Sequence, residues 1–101
     1  MKIRFSRDAE EDLQDISDYT WRTWGEEQET HYLKMIYSRL EDIKRDPSSS
    51  DWRRRDELFD ECRVASVGRH IIFFLMKEDG IIVSRILHQA MDFPRHVFPE
   101  G

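Results

Sequence analysis

Six consecutive apolar residues, 71–76 (IIFFLM), stand between Gly68 and the pair Asp79-Gly80. Side chains alternate faces along a strand, so Ile71, Phe73 and Leu75 would cover one face and Ile72, Phe74 and Met76 the other. Both sets are apolar. Such a strand must be covered above and below, which makes it the centre of a sheet. Runs of period two flank it. Residues 62–66 predict a strand, Val67-Gly68 a tight turn, 69–76 the central strand and 81–87 another. Asp79-Gly80 between apolar runs predicts a type I′ hairpin, whose two central positions need positive φ.

The remainder of the chain reads as cover for that sheet. Residues 1–5 alternate, with Ile3 and Phe5 opposite Lys2 and Arg4, and predict a short half-buried or edge strand. Ser6 and Asp8 offer helix N-caps, with Glu11 as a capping-box partner for Asp8. Six acids between Asp8 and Asp18 suit the positive end of a helix dipole. Ala9, Leu13, Ile16, Thr20 and Trp24 recur on one helical face, and Gly25 is a natural stop. A second helix is predicted over 26–46. Its stripe is Tyr32, Leu33, Ile36, Tyr37, Leu40 and Ile43, it carries an exposed Glu41/Arg45 pair, and Pro47 ends it. With almost nothing between them, the two helices should form an antiparallel hairpin; one helix bent at Gly25 is the alternative. Residues 47–61 read as a loop. The tail over 91–98 supplies the sheet's second cover, with Asp92 capping a short helical turn that holds Pro94. The expected class is α+β in the order β–αα–βββ, an antiparallel-rich small sheet packed on a helical hairpin, with a single domain over 1–101.

Composition narrows the functional classes. The formal net charge is −5, whereas a protein that grips polyphosphate by counterion release usually carries a basic excess. The only basic run, Arg53, Arg54 and Arg55, reads as a solvated loop balanced by Asp56 and Glu57, with a phosphate or acidic-partner contact as the sharper alternative. One cysteine, Cys62, leaves no internal disulfide and fits a reducing compartment. The charged start MKIRFSRDAEED does not read as a signal peptide, and no apolar run approaches a membrane span. Cytoplasm is the expected location, and no membrane partner is expected.

Several residue sets could carry chemistry. Arg69, Arg85 and His88 fall near the ends of adjacent strands, with Asp92 and His96 in reach. An endoribonuclease needs a base for the 2′-hydroxyl, a cation for the phosphate and an acid for the leaving group. These residue types are present, but their spacing specifies nothing, and arginines at strand ends also pair with acids. His88, Asp92 and His96 lie four apart, which on one helix would face a metal. Pro94 prevents that helix, and no metal or cofactor is expected. Among the aromatics, Trp24 lies on the apolar stripe and reads as core packing. Trp21 lies off it and reads as an anchor for a protein partner, and the second helix's stripe, with Tyr32 and Tyr37, is wider than one sheet face needs.

The element order, together with VGRHIIFF and the closing strings IIVSRILHQAMDFPRHV and RILHQAMDFPRH, resembles the RelE/ParE superfamily of bacterial toxins and its ParE branch in particular. The resemblance spans nearly the whole chain; its specific part is 68–96. It implies the toxin of a type II toxin–antitoxin pair, neutralised by a ParD-like antitoxin that covers the helical hairpin, with Trp21, Tyr32 and Tyr37 as anchors. It further implies inhibition of DNA gyrase by binding, without catalysis and without a direct grip on nucleic acid. Arg69, His88, Asp92, Arg95 and His96 then form the target-contacting edge. The nuclease branch remains the alternative, with Arg69, Arg85 and His88 in the catalytic roles. Relatives of that branch place a tyrosine near the C-terminus, where this chain has His88. A non-toxic module that only binds antitoxin is the third reading.

Overall fold

The computed structural model describes residues 2–91 and 98. Strand β1 (Lys2–Phe5) is followed by helices α1 (Arg7–Trp24) and α2 (Glu26–Arg45), then by β2 (Arg53–Arg54), β3 (Arg63–Val67), β4 (His70–Lys77) and β5 (Gly80–His88). The sheet order is β1-β5-β4-β3-β2. β4 is thus the central strand, and Ile72, Phe73 and Phe74 are wholly buried. Neighbouring pairs are antiparallel except β1 and β5, which run parallel. The fifth strand, β2, lies within the expected loop: Arg53 and Arg54 pair with Val64 and Arg63. Two residues are too few to show a period in sequence.

The two faces of the sheet carry separate cores. On the helix side, Ala9, Ile16, Ile36, Leu40 and Ile43 pack on Ile72, Phe74, Ile81, Val83 and Ile86. Trp52 joins them and anchors the chain after α2, its indole N–H donating to the Asp46 carbonyl at 2.8 Å. On the opposite face Leu58, Cys62, Phe73, Leu87 and Phe98 form a smaller cluster. Phe98 supplies the expected tail cover, with its ring 4.9 Å from that of Phe73. The expected helical turn around Asp92 and Pro94 lies outside the described residues.

Helix boundaries follow from local chemistry. Ser6 caps α1, accepting from Ala9 N–H at 3.0 Å, which satisfies one of the orphan donors of the first turn. Gly25, at φ 93°, separates α1 from α2 and excludes the single bent helix. The Ser17 hydroxyl donates to the Glu29 carboxylate across the hairpin. On the outer face of α2, Arg45 pairs with Asp42 and not with Glu41.

The β4–β5 turn corrects the hairpin expectation. Lys77 pairs with Gly80, so the two linking residues are Glu78 and Asp79, and neither they nor Gly80 have positive φ. Gly80 is required for another reason. A Cβ there would stand 2.3 Å from the Lys2 carbonyl oxygen, because β1 runs directly beside it.

Candidate functional site

Strand β5 is covered along only part of its outer edge. β1 pairs with Gly80, Ile81, Ile82 and Val83, and then the chain turns away into α1. Beyond that point side chains replace the missing strand. Ser6 donates its N–H to the Val83 carbonyl at 2.9 Å and its hydroxyl to the Ser84 carbonyl at 2.7 Å. Asp12, on the next turn of α1, accepts three bonds: Ile86 N–H at 3.0 Å and Arg85 Nε and Nη2 at 2.7 Å each. The β4–β5 register skips Ser84 here, since Phe74 faces Val83 and Phe73 faces Arg85. The extra residue shifts the alternation, so Ile81, Val83 and Ile86 join the helix-side core while Leu87 joins the other.

Asp12 and Arg85 therefore form a largely buried, bidentate ion pair, with side chains 10% and 18% exposed. The hydrogen bonds that Arg85 donates to Asp12, and then the Asp12 charge, hold the guanidinium even further into its protonated form than usual.

One layer away, Tyr32 of α2 organises the β3–β4 turn. Its hydroxyl accepts from Arg69 N–H at 2.9 Å and lies 2.6 Å from His70 Nδ1. Gly68 is at φ 55°, and a Cβ there would come within 2.6 Å of the Tyr32 hydroxyl. Only glycine suits both demands. Burial, reinforced by His88, pushes His70 down to about 4, with Asp12 pulling the other way. His70 is therefore neutral near pH 7. The Tyr32 hydroxyl has two acceptors for its proton, His70 Nδ1 at 2.6 Å and the Val67 carbonyl at 3.4 Å, and its contact with Nδ1 holds the His70 ring in place. The His88 ring stands edge-on to His70, with centroids 5.3 Å apart. Its Nδ1 accepts from Ala90 N–H at 3.1 Å, so neutral His88 carries its proton on Nε2.

These groups wall one end of a cavity of about 730 Å³ between α1 and the end of β5, which Arg69, His70 and His88 line. Its other walls include Ile16, Tyr19, Trp24 and Met91. Tyr19, Trp24 and Met91 are three of the five large apolar side chains that the described surface exposes. Uncovered apolar area concentrated in one concavity marks an interaction site.

A family model described as "ParE toxin of type II toxin-antitoxin system, parDE" matches residues 3–93. The chain belongs to the ParE toxin family. It is 32% identical over 90 residues to Toxin ParE1 of Mycobacterium tuberculosis, covering 88% of this chain and 90% of that protein. It is 31% identical over 94 residues to Toxin ParE1 of Caulobacter vibrioides, covering 93% and 95%. Among solved structures, a chain of the "Chromosomal ParDE TA system from P. aeruginosa" superposes with a TM-score of 0.72 at 19% identity, covering 87% of this chain and 95% of that one. That likeness establishes the fold.

Within this ParE-family chain, the residues singled out from sequence separate into groups. Arg69 and His88 share the cavity, whereas Arg85 is committed to Asp12. Asp92, Arg95 and His96 lie outside the described residues. Trp21 and Tyr37 are exposed, at 55% and 51%. Tyr32 is half-buried, and its hydroxyl is engaged within the fold. Trp24 is not core: it is 67% exposed and lines the cavity. In the basic run, Arg54 pairs with Asp56 and Arg55 with Glu57, the acids expected to balance it, although Arg53 and Arg54 form strand β2 and not a loop. Burial pushes the Cys62 thiol up to about 12, which leaves it inert. Among the described residues no three His, Cys, Asp or Glu side chains are placed to hold a metal.

Sequence reasoning missed Asp12, Tyr19 and Met91 as parts of this site. Asp12 did leave a signal: it stands three residues after Ala9 and four before Ile16, so it is an acid on the apolar stripe. Such a position requires a buried partner.

Proposed function

We propose that this ParE-family toxin acts by binding DNA gyrase, performs no chemistry of its own, and is held inactive by a ParD-like antitoxin. The observation that carries this reading is the Asp12–Arg85 pair. A nuclease built on Arg69, Arg85 and His88 needs a cation released to a scissile phosphate, and the bidentate contact with a buried carboxylate occupies the Arg85 guanidinium. The net charge of −5 supports the same reading, since nothing in it favours a nucleic-acid substrate. Gyrase as target places the protein in the cytoplasm. No helix among the described residues is long and apolar enough to cross a membrane.

In this reading Arg69 and His88, with Asp92, Arg95 and His96, form the edge that meets gyrase. Trp21 and Tyr37, exposed on α1 and α2, are anchors for the antitoxin, and Tyr32 contributes through its ring. Purified toxin should block gyrase supercoiling, and an equimolar antitoxin should restore it. Normal supercoiling at a large molar excess of toxin would overturn the proposal.

One observation favours an endoribonuclease: Arg69 and His88 do line a common cavity. Primer-extension mapping after induction separates the two activities. Defined mRNA cuts that vanish in Arg69→Ala and His88→Ala would favour the nuclease.

A further inference from the structure

The cavity beside β5 is chemically lopsided. Its apolar walls are Ile16, Tyr19, Trp24 and Met91, and its far end holds Arg69, His70 and His88. Acceptors near that end are already used. Asp12 takes three donors from Arg85 and Ile86, and the Tyr32 hydroxyl bridges Arg69 N–H and His70 Nδ1. Both imidazoles have their Nδ1 atoms occupied from within the fold, and because His88 Nδ1 accepts from Ala90 N–H, the neutral His88 ring presents Nε2–H as a free donor. No carboxylate among the described residues pairs with the Arg69 guanidinium. Asp15, on the α1 wall, is the one uncommitted acid lining the cavity.

We propose that the Arg69–His70–His88 end of this cavity seats a carboxylate from an acidic side chain of a protein partner, whose flanking apolar side chains lie along Tyr19, Trp24 and Met91. A guanidinium with two adjacent N–H donors suits a two-oxygen anion, and a carboxylate bond to such donors is stronger than a neutral one. The apolar walls choose a protein segment over a phosphodiester, because a nucleic-acid backbone would bring nothing to bury there. The preset ring positions matter as much as the charge. Tyr32 and Ala90 fix both rings before a ligand arrives, which lowers the ordering cost of binding. The inference identifies a contact of the proposed partner-binding edge, and so rests on that reading for its place in the biology. The seat itself is tested without gyrase.

The test titrates the full-length protein by NMR with N-acetylglutamate N-methylamide, its glutamine counterpart and dimethyl phosphate, following the side-chain nitrogens of Arg69, His70 and His88. The glutamate probe should give saturable shifts confined to these residues and to groove neighbours such as Trp24. The glutamine probe should bind about tenfold more weakly or worse. Arg69→Ala and His88→Gln, both changes of exposed side chains, should weaken the glutamate response. Equal response to glutamate and glutamine, absence of localised shifts, or stronger binding of dimethyl phosphate would each overturn the proposal. Failure here with intact gyrase inhibition removes only the carboxylate seat; the converse result removes only the target.

Discussion

The two halves of β5 reach the same end by different means. From Gly80 to Val83 the outer edge is closed by backbone, because β1 lies alongside it. From Ser84 to Ile86 it is closed by side chains, with Ser6 and Asp12 taking polar groups that a strand would otherwise satisfy. The first half needs only extended backbone and a glycine at the closest approach. The second half depends on particular atoms of particular residues, and it borders the cavity that holds Arg69, His70 and His88. A strand edge that ends early creates room for a site, and the polar side chains that seal it become part of that site's wall.

The sharpest way to break this contrast is Asp12→Ala. It would leave Arg85 charged in a largely buried position and strip Ile86 N–H of its acceptor. Removing one partner of a buried pair typically costs about 3–5 kcal/mol, so urea unfolding should show a loss of that size. Asp12→Asn, which keeps an acceptor, should lose less. On the backbone-closed half, Gly80→Ala forces a Cβ against the Lys2 carbonyl. Overpacking of this kind costs about 1–3 kcal/mol, and the effect should appear as faster amide exchange along Lys2–Phe5. Tyr32→Phe removes an acceptor from Arg69 N–H and the hydrogen-bond partner of His70 Nδ1, a loss of about 1–2 kcal/mol in thermal unfolding.

The pH dependence is smaller near neutrality. His70 titrates near 4 when folded against 6.5 as its ordinary value, so between these the unfolded chain binds the extra proton. Its contribution to stability is constant above about 6.5 and is lost as pH falls toward 4. His70→Gln should flatten that segment of the melting-temperature profile, and an unchanged slope would mean that His70 is not held neutral. The smallest effect belongs to Trp24→Ala. The side chain is mostly exposed, so stability should stay within about 0.5 kcal/mol, while partner binding falls.

What sequence alone reveals follows the same division. The apolar run 71–76, the N-cap at Ser6, the stop at Gly25 and Pro47 are local signals, and they place β4 and both helices. The sealing of β5 by Asp12 depends on residues seventy-odd positions apart, and pattern reading along the chain has no access to that pairing. In sequence Gly80 marks a turn, whereas the contact that demands it comes from β1. The skipped residue at Ser84 was hidden because every neighbour is compatible with a plain strand. Trp24 was misplaced because a stripe tells which way a side chain points, not whether anything lies opposite. Arg69 and His88 were found, yet their common cavity depends on Tyr32 holding the turn between β3 and β4.

The parallel pairing of β1 with β5 also bears on the order of events during synthesis. β1 has no partner until β5 exists, so the sheet edge, the Asp12–Arg85 pair and the cavity wall all wait for Gly80–His88 to be made. Contacts between distant segments form late because loop closure must precede them. A nascent toxin has the central hairpin and the helices available earlier, but its cavity is complete only after translation has passed His88. Truncated products of an interrupted message would lack it, and the cell producing the toxin would meet the finished cavity only in chains translated beyond that point.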